Sequence, residues 1–230
     1  MSLSAPPGFV VGLAIEARLL AEALGPSCRI ACAAASAERA REGAGRLLSE
    51  GAGALISFGI AGGLAPALAP GDLVLAERIV APGAHPIATD TRYRSRWAAA
   101  ATAAGLQYVG GGLLDSAQIV SSVADKRALY LSSGAVATDM ESYAVAGVAA
   151  EAGVPFAAVR AIADPAGRPL PRSVIGIIGP DGTPRVGRLI LRLCMRPWEC
   201  PALFRLRRDT DAALASLRRL LGSIGPAGLA

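Results

Sequence analysis

The 230 residues suit one compact domain, long enough to bury roughly 70% of the surface of the unfolded chain, and apolar residues at 53% with aromatics at only 4% favour packed helices and strands over an aromatic-rich binding surface. The formal charge of +5 gathers in the tail, where Arg185 to Arg219 holds nine arginines against Glu199, Asp209 and Asp211; no basic–aromatic alternation accompanies it, which argues against a nucleic-acid module. Four cysteines with no CxxC pair, and His85 as the single histidine, argue against a zinc site and a disulfide framework. No basic segment followed by an apolar run opens the sequence, so a cytoplasmic location is expected. The uncharged stretch from Gly51 to Gly71 has the length of a bilayer span, but six glycines and two prolines interrupt it. A strand running into a glycine-rich loop accounts for it better than a lipid-facing helix.

In chain order, Phe9 to Ala14 reads as a first strand and Glu16 to Leu24 as a helix. Arg29 to Ala34 is a second strand, followed by a helix over Ser36–Ser49 with Ser36 as N-cap and Gly51 just past its end. Ala54 to Phe58 is a central strand, and Gly71-Asp72 turns into Leu73–Ala76. Tyr93 to Ala104 is helical and precedes the glycines at 110–112; Val136–Thr138 leads into a helix from Met140 to Ala152, and Val154 to Arg160 is the next strand. Strands alternating with helices predict an α/β domain, with ligands at the carboxyl ends of the strands. Val186–Leu193 sets apolar residues against Arg188 and Arg192, and 197–220 adds an amphipathic helix. Packing on the domain or a second subunit is the more ordinary use of that tail, and contact with an anionic lipid surface the alternative.

Four segments carry candidate chemistry. Ser57-Phe58-Gly59-Ile60-Ala61-Gly62-Gly63-Leu64 has glycines close enough for backbone N–H groups to approach an oxygen-rich ligand, though it lacks the spacing of a dinucleotide site or a P-loop. Thr138-Asp139-Met140-Glu141 ends a strand with two carboxylates; a carboxylate accepts two hydrogen bonds and so matches a vicinal diol such as a ribose, while a helix-capping Asp139 and a dipole-complementing Glu141 are the plainer reading. Arg160 and Asp164 end an apolar strand, where burial raises an aspartate's pKa as a general acid requires; an Arg160–Asp164 ion pair without a catalytic task is the alternative. Glu16 falls just after the first strand, a common place for a glutamate at a helix start.

FGIAGGL, GDLV, TDMES and VPFAAVRAIADPA, in this order, resemble the nucleoside phosphorylase and nucleosidase superfamily. The resemblance covers residues 8–166 and is closest to the methylthioadenosine/S-adenosylhomocysteine nucleosidases and, better still, the hopanoid-associated nucleoside phosphorylases, which GLAIEARLL and the stretch from Ile177 to Asp209 also resemble. It implies a single-domain, three-layer α/β fold over 1–230, a central mixed sheet flanked by helices with an arginine-rich helical tail at 172–222. It also implies cleavage of the N-glycosidic bond of a purine nucleoside, with adenosylhopane as substrate.

Carried over by residue, the resemblance makes Asp164 the acid that protonates N7 of the leaving purine and Glu141, beside Met140, the ligand of the ribose diol. Glu16 and Arg160 fall beside the nucleophile, water or phosphate; Gly59, Ile60 and Gly62 line the ribose side, and Gln118 and Ile119 the base. The chain departs from the nucleosidases at Ile60 and Ala163, where they carry serines, and at Gln118, where they stack an aromatic on adenine. It lacks the phosphate-binding glycine-aspartate-proline-arginine loop of the hexameric phosphorylases, which favours hydrolysis. The expectation is an enzyme without a cofactor, phosphate being at most a co-substrate, acting as a homo-oligomer on a small nucleoside, with the tail touching membrane peripherally. A non-catalytic nucleoside- or lipid-binding protein on the same fold is the alternative.

Overall fold

Residues 5–225 are described by the computed structural model. Gly8–Val11 (β1) is fully buried and pairs in parallel with Arg29–Cys32 (β2) and with the first half of Leu55–Gly63 (β3). Between β1 and β2 lies Ala14–Leu24 (α1), which starts two residues earlier than the spacing predicts, because the Glu16 carboxylate folds back to accept from the N–H groups of Gly12 and Leu13 and so ends the strand at Val11. β2 stops at Cys32, short of Ala34, where positive φ angles at Ala34 and Ala35 turn the chain. Ala37–Ser49 (α2) follows with Ser36 capping it as expected, its hydroxyl accepting from the Arg39 N–H.

The largest departure from the sequence reading is at β3, which continues through the glycines to Gly63 and does not open into a loop. Its backbone is held on both sides: residues 55–62 pair with Phe156–Asp164 (β10), and Gly62-Gly63 pair antiparallel with Ala135–Asp139 (β9). For the same reason β10 runs four residues beyond the predicted end. Leu73–Leu75 (β4) lies antiparallel to β10, and the short strands Arg78–Val80 (β5), Ile87–Ala88 (β6), Tyr108–Val109 (β7) and Gly112–Asp115 (β8) complete the mixed sheet. Strands of two to four residues leave little periodic signal.

Helices cover both faces. Thr91–Ala103 (α3), capped by Asp90 rather than starting at Tyr93, shares with α1 and Cys200–Ile224 (α7) a core containing Phe9, Phe58, Trp97 and Val159. On the other face α2 and Ser142–Ala152 (α5), which begins two residues after the predicted start, pack over Val10, Leu55 and Ile162. Val123–Ser133 (α4), which the sequence reading did not single out, is capped by Ser122 and precedes β9.

The two tail helices differ sharply. From α7, Ala213, Leu214, Leu217, Leu220 and Leu221 are buried in the main core, each leucine worth about 1.5–3 kcal/mol relative to exposure. Val186–Met195 (α6) buries nothing. Its Arg188 and Arg192 turn inward and donate to the carbonyl oxygens of Gly176, Ser173 and Ile175, leaving Ile190, Leu191 and Met195, with Trp198 beyond them, between 56% and 69% exposed. Among the described residues, no helix is long and apolar enough to cross a membrane.

Candidate active site

The ends of β3, β9 and β10 and the start of α1 enclose a cleft of about 280 Å³. Nine of the ten residues expected at the site line it: Glu16, Ile60, Gly62, Gln118, Ile119, Met140, Glu141, Arg160 and Asp164. Gly59 is the exception. It lies behind Glu16, where a Cβ would come 2.4 Å from Oε1, and its φ of +153° is one that side-chain-bearing residues rarely adopt. The glycine makes room for the carboxylate and does not itself face the cleft. The Ile60 N–H, which the sequence offered to an oxygen-rich ligand, donates to Glu16 Oε1 at 2.8 Å.

At this end of the cleft, carboxylates outnumber the cation. Glu16 accepts three backbone hydrogen bonds, from Gly12, Leu13 and Ile60, yet burial outweighs these and the attraction of Arg160, so its pKa is raised. Glu141 lies against Gly12, where a Cβ would approach its Oε1 to 3.0 Å. Burial, with the charges of Asp139 and Glu16 adding to it and Arg160 opposing, pushes Glu141 up to about 8.

Arg160 does not pair with Asp164. Its Nε and Nη2 donate to Asp139 Oδ2 at 2.9 and 2.6 Å, and Nη2 also reaches Ser57 Oγ at 2.6 Å and Ser142 Oγ at 3.2 Å. Asp139, whose Oδ1 also accepts from the Ser142 N–H, therefore both starts α5 and neutralises the buried guanidinium. Removing one partner of so buried a pair costs about 3–5 kcal/mol.

The opposite end is built around Asp164. The β3–β10 register shifts between Ile162 and Asp164, and such a bulge re-aims side chains. Asp164 Oδ2 lies 2.7 Å from Nζ of Lys126, whose side chain is 0% exposed. Lys126 also donates to the carbonyl oxygens of Pro165 and Arg168, at 3.0 and 2.8 Å, so all three ammonium protons have acceptors. Burial raises Asp164 to about 6 against the pull of Lys126 and Arg168. Beside it the Thr138 hydroxyl, buried in the cleft wall, has no hydrogen-bond partner. A third wall is apolar and comes from outside the sheet: Leu170, Ile178 and, from α7, Leu206 beside Thr210.

Lys126, Thr138 and the tail residues were missed from sequence. A lysine in an exposed-looking helix carries no signal of burial; only Ser122, a recognisable cap, announces α4 at all.

A cleft with a carboxyl group of raised pKa at one end and buried carboxyl groups around an arginine at the other suits an enzyme that cleaves the N-glycosidic bond of a nucleoside. The chain belongs to the phosphorylase superfamily, whose family model matches residues 27–193. A search of curated proteins finds no match. Among solved structures the fold is similar to a 5′-methylthioadenosine/S-adenosylhomocysteine nucleosidase from Helicobacter pylori bound to butyl-thio-DADMe-Immucillin-A, at 16% identity and a TM-score of 0.67 over 95% of this chain and 98% of that one. Futalosine hydrolase of the same organism gives 16% and 0.67 over 94% and 97%. An S-adenosylhomocysteine nucleosidase from Streptococcus pyogenes, in complex with 5-methylthiotubericidin, gives 16% and 0.66 over 96% and 98%.

Proposed function

We propose that the chain hydrolyses a purine nucleoside bearing a bulky apolar 5′ substituent, with adenosylhopane as the substrate its sequence resemblance implies. The observation that carries this reading is the polarity of the cleft: an acid held by a buried cation at one end, carboxylates at the other, and an apolar wall from Leu170, Ile178 and Leu206 between cleft and tail. Asp164 donates its proton to N7 as the bond from C1′ breaks, and the sugar passes through an oxocarbenium-like state. Glu141 accepts hydrogen bonds from the ribose hydroxyls. Glu16, its pKa raised, takes the proton of the attacking water.

Water is favoured over phosphate by electrostatics. Arg160 is the one cationic side chain lining the cleft among the described residues, and Asp139 already engages it. A phosphate dianion would find no unengaged positive partner there. Incubating the protein with adenosylhopane, with and without phosphate, should yield free adenine and ribosylhopane at the same rate in both; a phosphate-dependent rate and a ribose 1-phosphate product would make it a phosphorylase.

The same reading makes the chain a cytoplasmic homo-oligomer that touches anionic membrane through α6. The outward apolar face there, Trp198, and seven arginines against Glu199 over 185–208 are the composition of an interfacial helix. A lipid-linked nucleoside would be met at the surface where it partitions.

A further inference from the structure

We propose that Lys126 is the positioning residue for the acid, fixing Asp164 in the cleft and matching its charge as the proton leaves. The inference rests on reading Asp164 as the acid. Ala163, the residue before it, has no polar side chain to hold the carboxyl group, and Lys126 reaches it from α4, thirty-eight residues earlier in the chain.

The geometry is specific. Lys126 is the one buried residue of α4, and its ammonium contacts Oδ2 of Asp164, so Oδ1 is left to carry the transferable proton. After that proton passes to the base nitrogen, the carboxylate that remains lies 2.7 Å from the buried ammonium. Charge is thus matched where it develops, without reorganisation. The two carbonyl acceptors, Pro165 and Arg168, tie the ammonium to the loop that follows β10. That loop is anchored from its other side by Arg168, whose Nη1 pairs with Asp209 of α7 at 2.6 Å. Lys126, Arg168 and Asp209 are the charged groups facing Asp164, and of these only Lys126 touches it.

The cation opposes the burial that raises Asp164 to about 6, so its removal has a signed consequence: the acid holds its proton to higher pH but is held less firmly. In Lys126→Met the basic limb of the kcat/KM profile should move upward by about one pH unit, while kcat on the plateau falls about 10²-fold and KM changes little, since the ribose ligands are untouched. Lys126→Arg, which retains a cation, should restore the position of the limb. A profile that keeps its wild-type limb in Lys126→Met, or an equal upward shift in Lys126→Arg, overturns the proposal. Should Lys126→Met not fold, the Lys126→Arg profile decides. Asp164→Asn separates the two readings: if it is active, the acid assignment fails; if it is inactive while the Lys126→Met limb stays put, only the role of Lys126 fails.

Discussion

The two ends of the cleft solve opposite problems with the same residue type. Around Arg160, three carboxyl groups, Asp139, Glu141 and Glu16, share one guanidinium, so Asp139 takes the cation and burial raises the other two toward the protonated form. Around Asp164 a single carboxyl group faces a buried ammonium, so its negative charge is compensated by a cation at contact distance. β10 carries the cation of one set, Arg160, and the acid of the other, Asp164, four residues apart, and under the proposed function the difference between the sets separates a sugar end from a base end.

The most severe way to break this comparison is at the compensated end. Asp164→Asn removes the transferable proton and should lower kcat by about 10²- to 10⁴-fold with the circular dichroism spectrum unchanged; near-normal adenine release from the variant would remove the acid from the mechanism. At the Arg160 end, Glu141→Gln should weaken ribose recognition by about 10- to 100-fold in kcat/KM, the worth of a hydrogen bond to a charged group, and wild-type protein should discriminate against 2′-deoxy substrates by a similar factor.

The same variant sharpens the comparison through stability. Burial pushes Glu141 up to about 8 and Asp164 up to about 6, above their ordinary 4.5 and 3.8, so the folded state binds protons that the unfolded chain has released. Their contribution is full at low pH and is lost as pH rises through the folded values. The ligand-free Tm should therefore decline between about pH 5 and pH 8, and Glu141→Gln should flatten the upper part of that decline; a slope unaltered by the substitution would contradict the raised value.

The smallest effect is expected farthest from the cleft. Replacing Ile190 and Trp198 with glutamate should abolish cosedimentation with phosphatidylglycerol-containing vesicles and leave turnover of a water-soluble nucleoside intact. If the wild-type protein ignores such vesicles at low salt, or if the apolar face proves to join two copies in sedimentation velocity, the membrane reading of α6 falls.

Much of this arrangement is legible in the sequence because it sits at strand ends. Glu16, Glu141, Arg160 and Asp164 each close or follow a recognisable apolar run, and the order of those runs is enough to bring them to one side of a sheet. What is not legible depends on contacts between distant segments. The glycines after Phe58 look like a loop until β9 and β10 are known to pair with them, and Gly59 looks like a ligand contact until the Glu16 carboxylate is seen to fill the space its missing side chain leaves. Arg160 is close enough in sequence to Asp164 to suggest a pair, but Asp139 at the end of β9 claims it. Lys126 could be recognised only by knowing that α4 turns that one position toward β10.

The dual position of α7 has a consequence for how the molecule comes into being. Its C-terminal half supplies core leucines, while Leu206 and Thr210 near its beginning close the cleft. On the ribosome, the sheet and the carboxyl groups of the cleft emerge before this helix, together with Leu170 and Ile178, while Leu206 and Thr210 join the wall only when it docks. Nascent chains that lack α7 would thus carry these acids in a cleft still missing part of its apolar wall.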